Sequence, residues 1–198
     1  MKRRSLVSLL ICCGLFSMSD GPKALAADGI TVGGHLWVSG KPVTDAVIWL
    51  EAPAVPRPAR RAVLDQRDLA FSPTVLAIST GSTVRFPNND RVLHNVFSFR
   101  DGRKFDLGLY PVGQVRDVKF DQAGVSRLFC NIHPGMAAYV VAVDSPYYAV
   151  TDKHGAFSLV AVPPGQYTYH AWRAGAAIAS GKLTIASNES LEVQWPVN

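Results

Sequence analysis

Apolar positions in this chain come in short alternating runs, cut by Gly, Pro, Asn and Asp. Residues 30–38 (ITVGGHLWV) and 43–50 predict two strands, joined by a turn at Ser39-Gly40-Lys41-Pro42. In the second strand Val47 and Trp49 share one face, and Ile48 and Leu50 the other. Residues 52–61 (APAVPRPARR) break the pattern. Proline lacks the N–H that a ladder needs, so this stretch reads as an arginine-bearing linker and a boundary.

Alternation resumes from Ala62. Residues 69–78, 83–86, 94–99, 115–120, 126–130 and 139–143 predict strands, with turns at 80–82, 87–90, 101–102, 111–113 and 122–124. Strands and turns in this rhythm over about 80 residues predict a Greek-key sandwich or barrel. Beyond Ser145-Pro146 come strands at 149–152, 156–162, 167–172, 182–185 and 191–197. In the last of them Leu191, Val193, Trp195 and Val197 share a face. A closing piece of about 50 residues buries too little surface to stand alone, and the opening pair at 28–51 is smaller still. Both become viable if they pair into one sandwich with the central domain inserted between them. The expected fold class is therefore all-β. Its expected organisation is 1–27 leader, 28–51 opening strands, 52–61 linker, 62–144 central sandwich and 145–198 closing strands.

The leader changes the charge picture. Lys2-Arg3-Arg4, the apolar run 6–16 and Ala24-Leu25-Ala26 have the form of a cleavable export signal. The apolar run falls short of the roughly 20 residues of a membrane-spanning helix. Its removal takes four cations and one acid from a chain of formal charge +5, leaving +2, so a nucleic-acid partner loses its main support. Cys12 and Cys13 leave with it. Cys130 is then the single thiol of an exported protein, which excludes an internal disulfide and marks it as reactive or ligated. A periplasmic location with no stable membrane span is expected.

That cysteine sits in Phe129-Cys130-Asn131-Ile132-His133-Pro134-Gly135-Met136, spaced C-x2-H-x2-M. Thiolate, imidazole and thioether together suit copper, and a weak Met beside two His and one Cys is the blue-copper pattern. Zinc also takes Cys and His, but a Met ligand argues against it. Singly, each residue has a plain structural reading: buried Cys and Met as core, His-Pro-Gly as a turn. The second imidazole is sought upstream, and His94 in Leu93-His94-Asn95-Val96-Phe97 has the right surroundings. His35, His154 and His170 do not join it; His170 is opposite in phase to Tyr167 and Tyr169 and is expected to face solvent.

The phrases VRFPNNDRVLHNVFSF and FDQAGVSRLFCNIHPGM resemble the two signature segments of the cupredoxins, small blue-copper proteins such as plastocyanin and amicyanin. The short ligand loop is similar to amicyanin's. The resemblance covers residues 62–144 and implies one type 1 copper held by His94, Cys130, His133 and Met136. It also implies that Asn95 ties the histidine strand to the cysteine loop. Electrons would pass through His133 within a small apolar patch of Pro134, Gly135, Ala137 and Ala138.

The flanking segments (TDKHGAF, VPPGQYT and the opening hairpin) resemble a carboxypeptidase-regulatory-like, or transthyretin-like, β-sandwich. Bacterial chains of this layout are commonly labelled methylamine-utilisation proteins, a label that implies an electron-transfer partner. Three functions are weighed. The first is a periplasmic single-electron carrier that is not an enzyme, served by a redox protein such as a c-type cytochrome or a dehydrogenase or oxidase. The second is a copper carrier. The third is a carbohydrate- or partner-binding module with an accessory copper domain. A multicopper oxidase or copper nitrite reductase would need further histidine clusters, and a CuA centre a second cysteine.

Overall fold

The computed structural model describes residues 29–52, 60–99, 101–186 and, as backbone, 190–194. The leader, most of the linker, Trp195 and the end of the last predicted strand lie outside the described residues. Every regular element described is a β-strand. The chain opens with β1 (Ile30–Val38), β2 (Lys41–Pro42) and β3 (Val47–Leu50). Next come β4 (Arg61–Val63), β5 (Asp65–Arg67), β6 (Ala70–Ser72), β7 (Val75–Ser79), β8 (Ser82–Pro87) and β9 (His94–Ser98). The central stretch ends with β10 (Phe105–Tyr110), β11 (Val115–Phe120), β12 (Gly124–Phe129) and β13 (Ala137–Val143). The chain closes with β14 (Tyr148–Val150), β15 (Ala156–Val162), β16 (Gly165–Trp172), β17 (Ala179–Ile185) and β18 (Ser190–Gln194).

Strands β4 to β13 build a central unit. A five-stranded sheet in the order β10-β9-β12-β13-β7 faces a three-stranded sheet β11-β8-β4, and β5-β6 forms a separate ribbon. Val96, Leu128, Val140, Phe86 and Phe120 fill the space between the sheets. The two ends of the chain build an outer unit. One of its sheets runs β15-β1-β18 with β2 against β1, and the other runs β14-β3-β16-β17. Leu36, Ile48, Leu50, Leu159 and Ile185 are buried between them. The opening segment thus supplies an inner strand to each outer sheet: β1 lies between β15 and β18, and β3 between β14 and β16.

The two units meet at an apolar seam. Val47 and Trp172 from the outer unit pack with Val75, Val141 and Val143 from the central unit, with Trp49 and Tyr139 at the margin. This contact explains two runs that do not alternate. In Val47–Leu50, Ile48 and Leu50 enter the outer core while Val47 and Trp49 enter the seam. In Ala137–Val143, Ala138, Val140 and Ala142 enter the central core while Tyr139, Val141 and Val143 enter the seam. Strands covered on both faces read as continuous apolar runs.

Several expected elements shift. The predicted strand 69–78 is two strands parted at Pro73, which lacks the donor a ladder requires. Lys41 and Pro42, predicted as turn, pair back onto Val38 and Trp37. Arg61, placed in the linker, begins β4 and pairs with Thr83. His170 is only partly exposed: its Nε2 meets the Glu51 carboxylate at 2.7 Å, and its ring stacks on Trp49.

Candidate metal centre

The site forms where three pieces of the central unit converge. His94 opens β9, Cys130 follows β12, and the loop into β13 carries His133 and Met136. Antiparallel pairing of Phe129 with Phe97 and of Tyr110 with His94 brings distant stretches of chain to one end of the five-stranded sheet. The loop closes on itself, since the Cys130 N–H donates to the Met136 carbonyl and the Met136 N–H to the His133 carbonyl, each at 3.2 Å. Gly135 has φ +89°, a left-handed conformation that a side chain would oppose.

His94 Nδ1 and His133 Nδ1 lie 3.0 Å apart, and Cys130 Sγ is 3.8 Å from the first and 3.6 Å from the second. Donors that share one ion at bond lengths of about 2.0–2.3 Å have separations of this size. His94 is wholly buried, Cys130 is 6% exposed, and His133 is half-buried. Met136 is buried near these three residues and in the same core cluster as Cys130. A sulfur and two ring nitrogens turned toward one point, two of them buried, form a ready donor set for a cation. The residues therefore fit a soft-to-borderline ion, and the added thioether selects copper over zinc.

Behind the donors, Asn95 is buried and its Oδ1 accepts the Asn131 N–H at 2.9 Å, tying β9 to the cysteine loop. A second support carries only a faint mark in the sequence. Asp90 Oδ2 lies 2.9 Å from His94 Nε2 in a buried contact. The carboxylate acts as the acceptor, so Nε2 carries the proton and Nδ1 is left bare toward the metal. Asp90 also accepts the Leu69 N–H at Oδ2 and the Arg91 N–H at Oδ1, each at 2.7 Å. The Leu69 amide foremost, then His94, hold its pKa down at about 2. The one sequence signal was an acid four residues ahead of His94, in a stretch read as turn material.

Asn88 fixes this loop. Fully buried, it donates to the Val92 and Tyr110 carbonyls at 2.9 and 3.1 Å, and its Oδ1 accepts the Asp90 N–H at 3.1 Å. Burial pushes the Tyr110 hydroxyl up to about 12, so it stays a donor, bonded to the Phe86 carbonyl at 3.1 Å. Of the surface residues expected around His133, Pro134 and Gly135 are exposed and Ala137 is half-buried. Ala138 does not belong to that patch. It is completely buried, because its place on β13 points into the central core. His35 on β1, His154 in the turn before β15 and His170 at the seam lie away from the donor cluster.

Residues 59–143 match the copper binding proteins of the plastocyanin/azurin family. The central unit is a cupredoxin domain. Among solved structures, a novel purple cupredoxin from Nitrosopumilus maritimus is similar at 26% identity, over 41% of this chain and 99% of that one, with a TM-score of 0.39. A reduced amicyanin variant is similar at 22% identity, over 48% and 99%, with a TM-score of 0.39. A copper-containing nitrite reductase from Thermus scotoductus SA-01 is similar at 21% identity, over 48% of this chain but 25% of that one, with a TM-score of 0.41. No curated protein matches the chain. The donors of this cupredoxin domain are those of one type 1 copper site.

Asp90→Asn tests the support behind His94. Copper affinity is expected to fall about 10- to 100-fold, measured by competition with a chelator. In the copper-free protein the variant also changes acid behaviour. Asp90 has a folded pKa of about 2, below the ordinary carboxylate value. Its stabilising contribution is complete above about pH 4 and is lost as the pH falls toward about 2. The stability gap between wild type and Asp90→Asn, followed by denaturant unfolding, should be open at neutral pH and close across that window. A gap constant with pH would contradict the assignment.

Proposed function

We propose that this chain is an exported, non-enzymatic electron carrier, in which one type 1 copper exchanges single electrons with a soluble redox protein. The observation that carries this reading is the setting of His133. It is the one half-exposed donor among three, and it opens into a shallow depression lined by Val92, Leu93, Pro111, Val112 and Ile132, with Arg91 at its margin. The side chains of Val92, Leu93, Val112 and Ile132 are between 41% and 51% exposed. An apolar collar around a ligand edge suits brief docking over a small area, with the partner's cofactor brought against the imidazole. Bound copper supplies a Cu(I)/Cu(II) couple. The buried His94, Cys130 and Asn95 would hold one donor arrangement through both states, which would keep the rearrangement on electron transfer small.

The partner would be a periplasmic c-type cytochrome, dehydrogenase or oxidase. The outer unit, whose segments resemble a carboxypeptidase-regulatory-like sandwich, would orient the copper domain through the seam. Among the described residues no helix is long and apolar enough to cross a membrane.

A charge placed in the collar tests the proposal. Leu93→Asp and Val112→Asp should leave the visible spectrum unchanged, while electron self-exchange slows at least about tenfold through like-charge repulsion and lost apolar contact. Voltammetry of the wild type should be reversible with copper retained. Release of copper to a chelator at every cycle would replace the electron carrier with a copper carrier.

A further inference from the structure

The ribbon β5-β6 lies outside both sheets of the cupredoxin domain, yet it is fastened to the loop that leads into His94. Gln66 bridges to Asn88, and its carbonyl accepts the Asn89 N–H at 3.0 Å. Its side-chain amide donates to the Pro87 carbonyl at 3.0 Å and to the Tyr110 hydroxyl, and Asp65 accepts the Asn89 side chain at 2.9 Å. Arg67 pairs with Ala70, so the turn consists of Asp68 and Leu69. Both are left-handed, at φ 52° and 58°. Two-residue turns of this hand ordinarily carry Asn-Gly or Gly-Gly, since a branched side chain opposes positive φ. The Leu69 side chain is 53% exposed, so burial does not offset the strain. What the conformation achieves is the aim of the Leu69 N–H, which reaches Asp90 Oδ2 at 2.7 Å. That same oxygen faces His94 Nε2 at 2.9 Å.

We propose that the β5-β6 ribbon is a positioning clamp for the copper site: the Leu69 amide fixes Asp90, and Asp90 fixes the ring of His94. A carboxylate held by a second donor on the same oxygen cannot swing away from the imidazole. The ring is then locked about its own axis with Nδ1 toward the metal before any metal arrives. The backbone strain at Asp68-Leu69 is in this view part of the copper site, although neither side chain reaches it. The inference rests on copper binding at the four donors and not on what the copper then does.

The test removes one hydrogen. Incorporating the α-hydroxy analogue of leucine at position 69 of the full chain turns the amide into an ester and deletes the donor while keeping the side chain. Cu(II) affinity, by chelator competition, is expected to drop about tenfold, and the visible band to shift or split as His94 gains freedom. An ester variant with wild-type affinity and spectrum would overturn the clamp. If the ester variant does not fold, the wild-type protein decides by NMR. The Leu69 amide proton should be protected from exchange and should move on loading with Cu(I). An amide that exchanges at loop rates and ignores the metal overturns the proposal equally. Failure of the wild type to bind copper would strike the metal assignment instead.

Discussion

Cys130→Ser is expected to give a folded protein that acquires no intense visible colour with Cu(II) and binds it more weakly by orders of magnitude. Cys130 is the only cysteine among the described residues, and it is buried beside Met136 in the central core. The strong colour of a type 1 site comes from charge transfer between a thiolate and copper. Serine keeps the size but offers a hard hydroxyl that stays protonated. Folding should survive, because the local geometry rests on the backbone. The Cys130 N–H still bonds the Met136 carbonyl, and Asn95 still holds the Asn131 N–H. The measurement is a Cu(II) titration followed by visible absorption, with far-ultraviolet dichroism confirming the fold. A serine variant that keeps the wild-type band would exclude thiolate ligation and with it the type 1 site. His133→Ala should do less, since a half-exposed position allows water to enter as a replacement ligand.

What the chain disclosed in advance followed from how strongly each feature shows in side-chain pattern. Strands packed against a core announced themselves through apolar alternation, as in Val115–Phe120 and Ala156–Val162. Phe105–Tyr110 did not. It is an edge strand, broken in register between Asp106 and Leu109 and carrying Gly108 at φ +62°, so charge and glycine hid its pattern. Asp65–Arg67 was equally silent, because its buried residue is Gln66, a polar side chain held by hydrogen bonds. The donors were legible because coordination demands particular atoms at particular spacing. Asp90 was not, because a carboxylate that supports an imidazole uses the same residue type as any turn. Ala138 was misjudged for a related reason. Proximity in sequence to His133 says nothing of which face of β13 a residue occupies, and alternation put Ala138 inside.

Deletion of residues 29–51 is expected to unfold the outer unit while the cupredoxin domain continues to bind copper. The asymmetry follows from strand order. Without β1, the strands β15 and β18 have nothing between them, and without β3 the same holds for β14 and β16. Leu36, Ile48 and Leu50 leave the outer core at the same stroke, each carrying about 1.5–3 kcal/mol of burial. What remains of the outer unit is too small to bury a core of its own. The donors, by contrast, all lie between residues 94 and 136 and are supported by Asp90, Asn95 and Leu69, none of which belongs to the outer unit. The truncated protein should therefore turn blue with Cu(II) while its closing segment becomes sensitive to protease. Residues 60–144 alone should behave likewise, though less stably and with a tendency to associate, since Val75, Val141 and Val143 would face water where the seam had been. The decisive counterpart is residues 147–198 by themselves. A cooperative unfolding transition in that fragment would show that the closing strands form a domain without β1 and β3, and the two-ended construction of the outer unit would then be incidental to its stability.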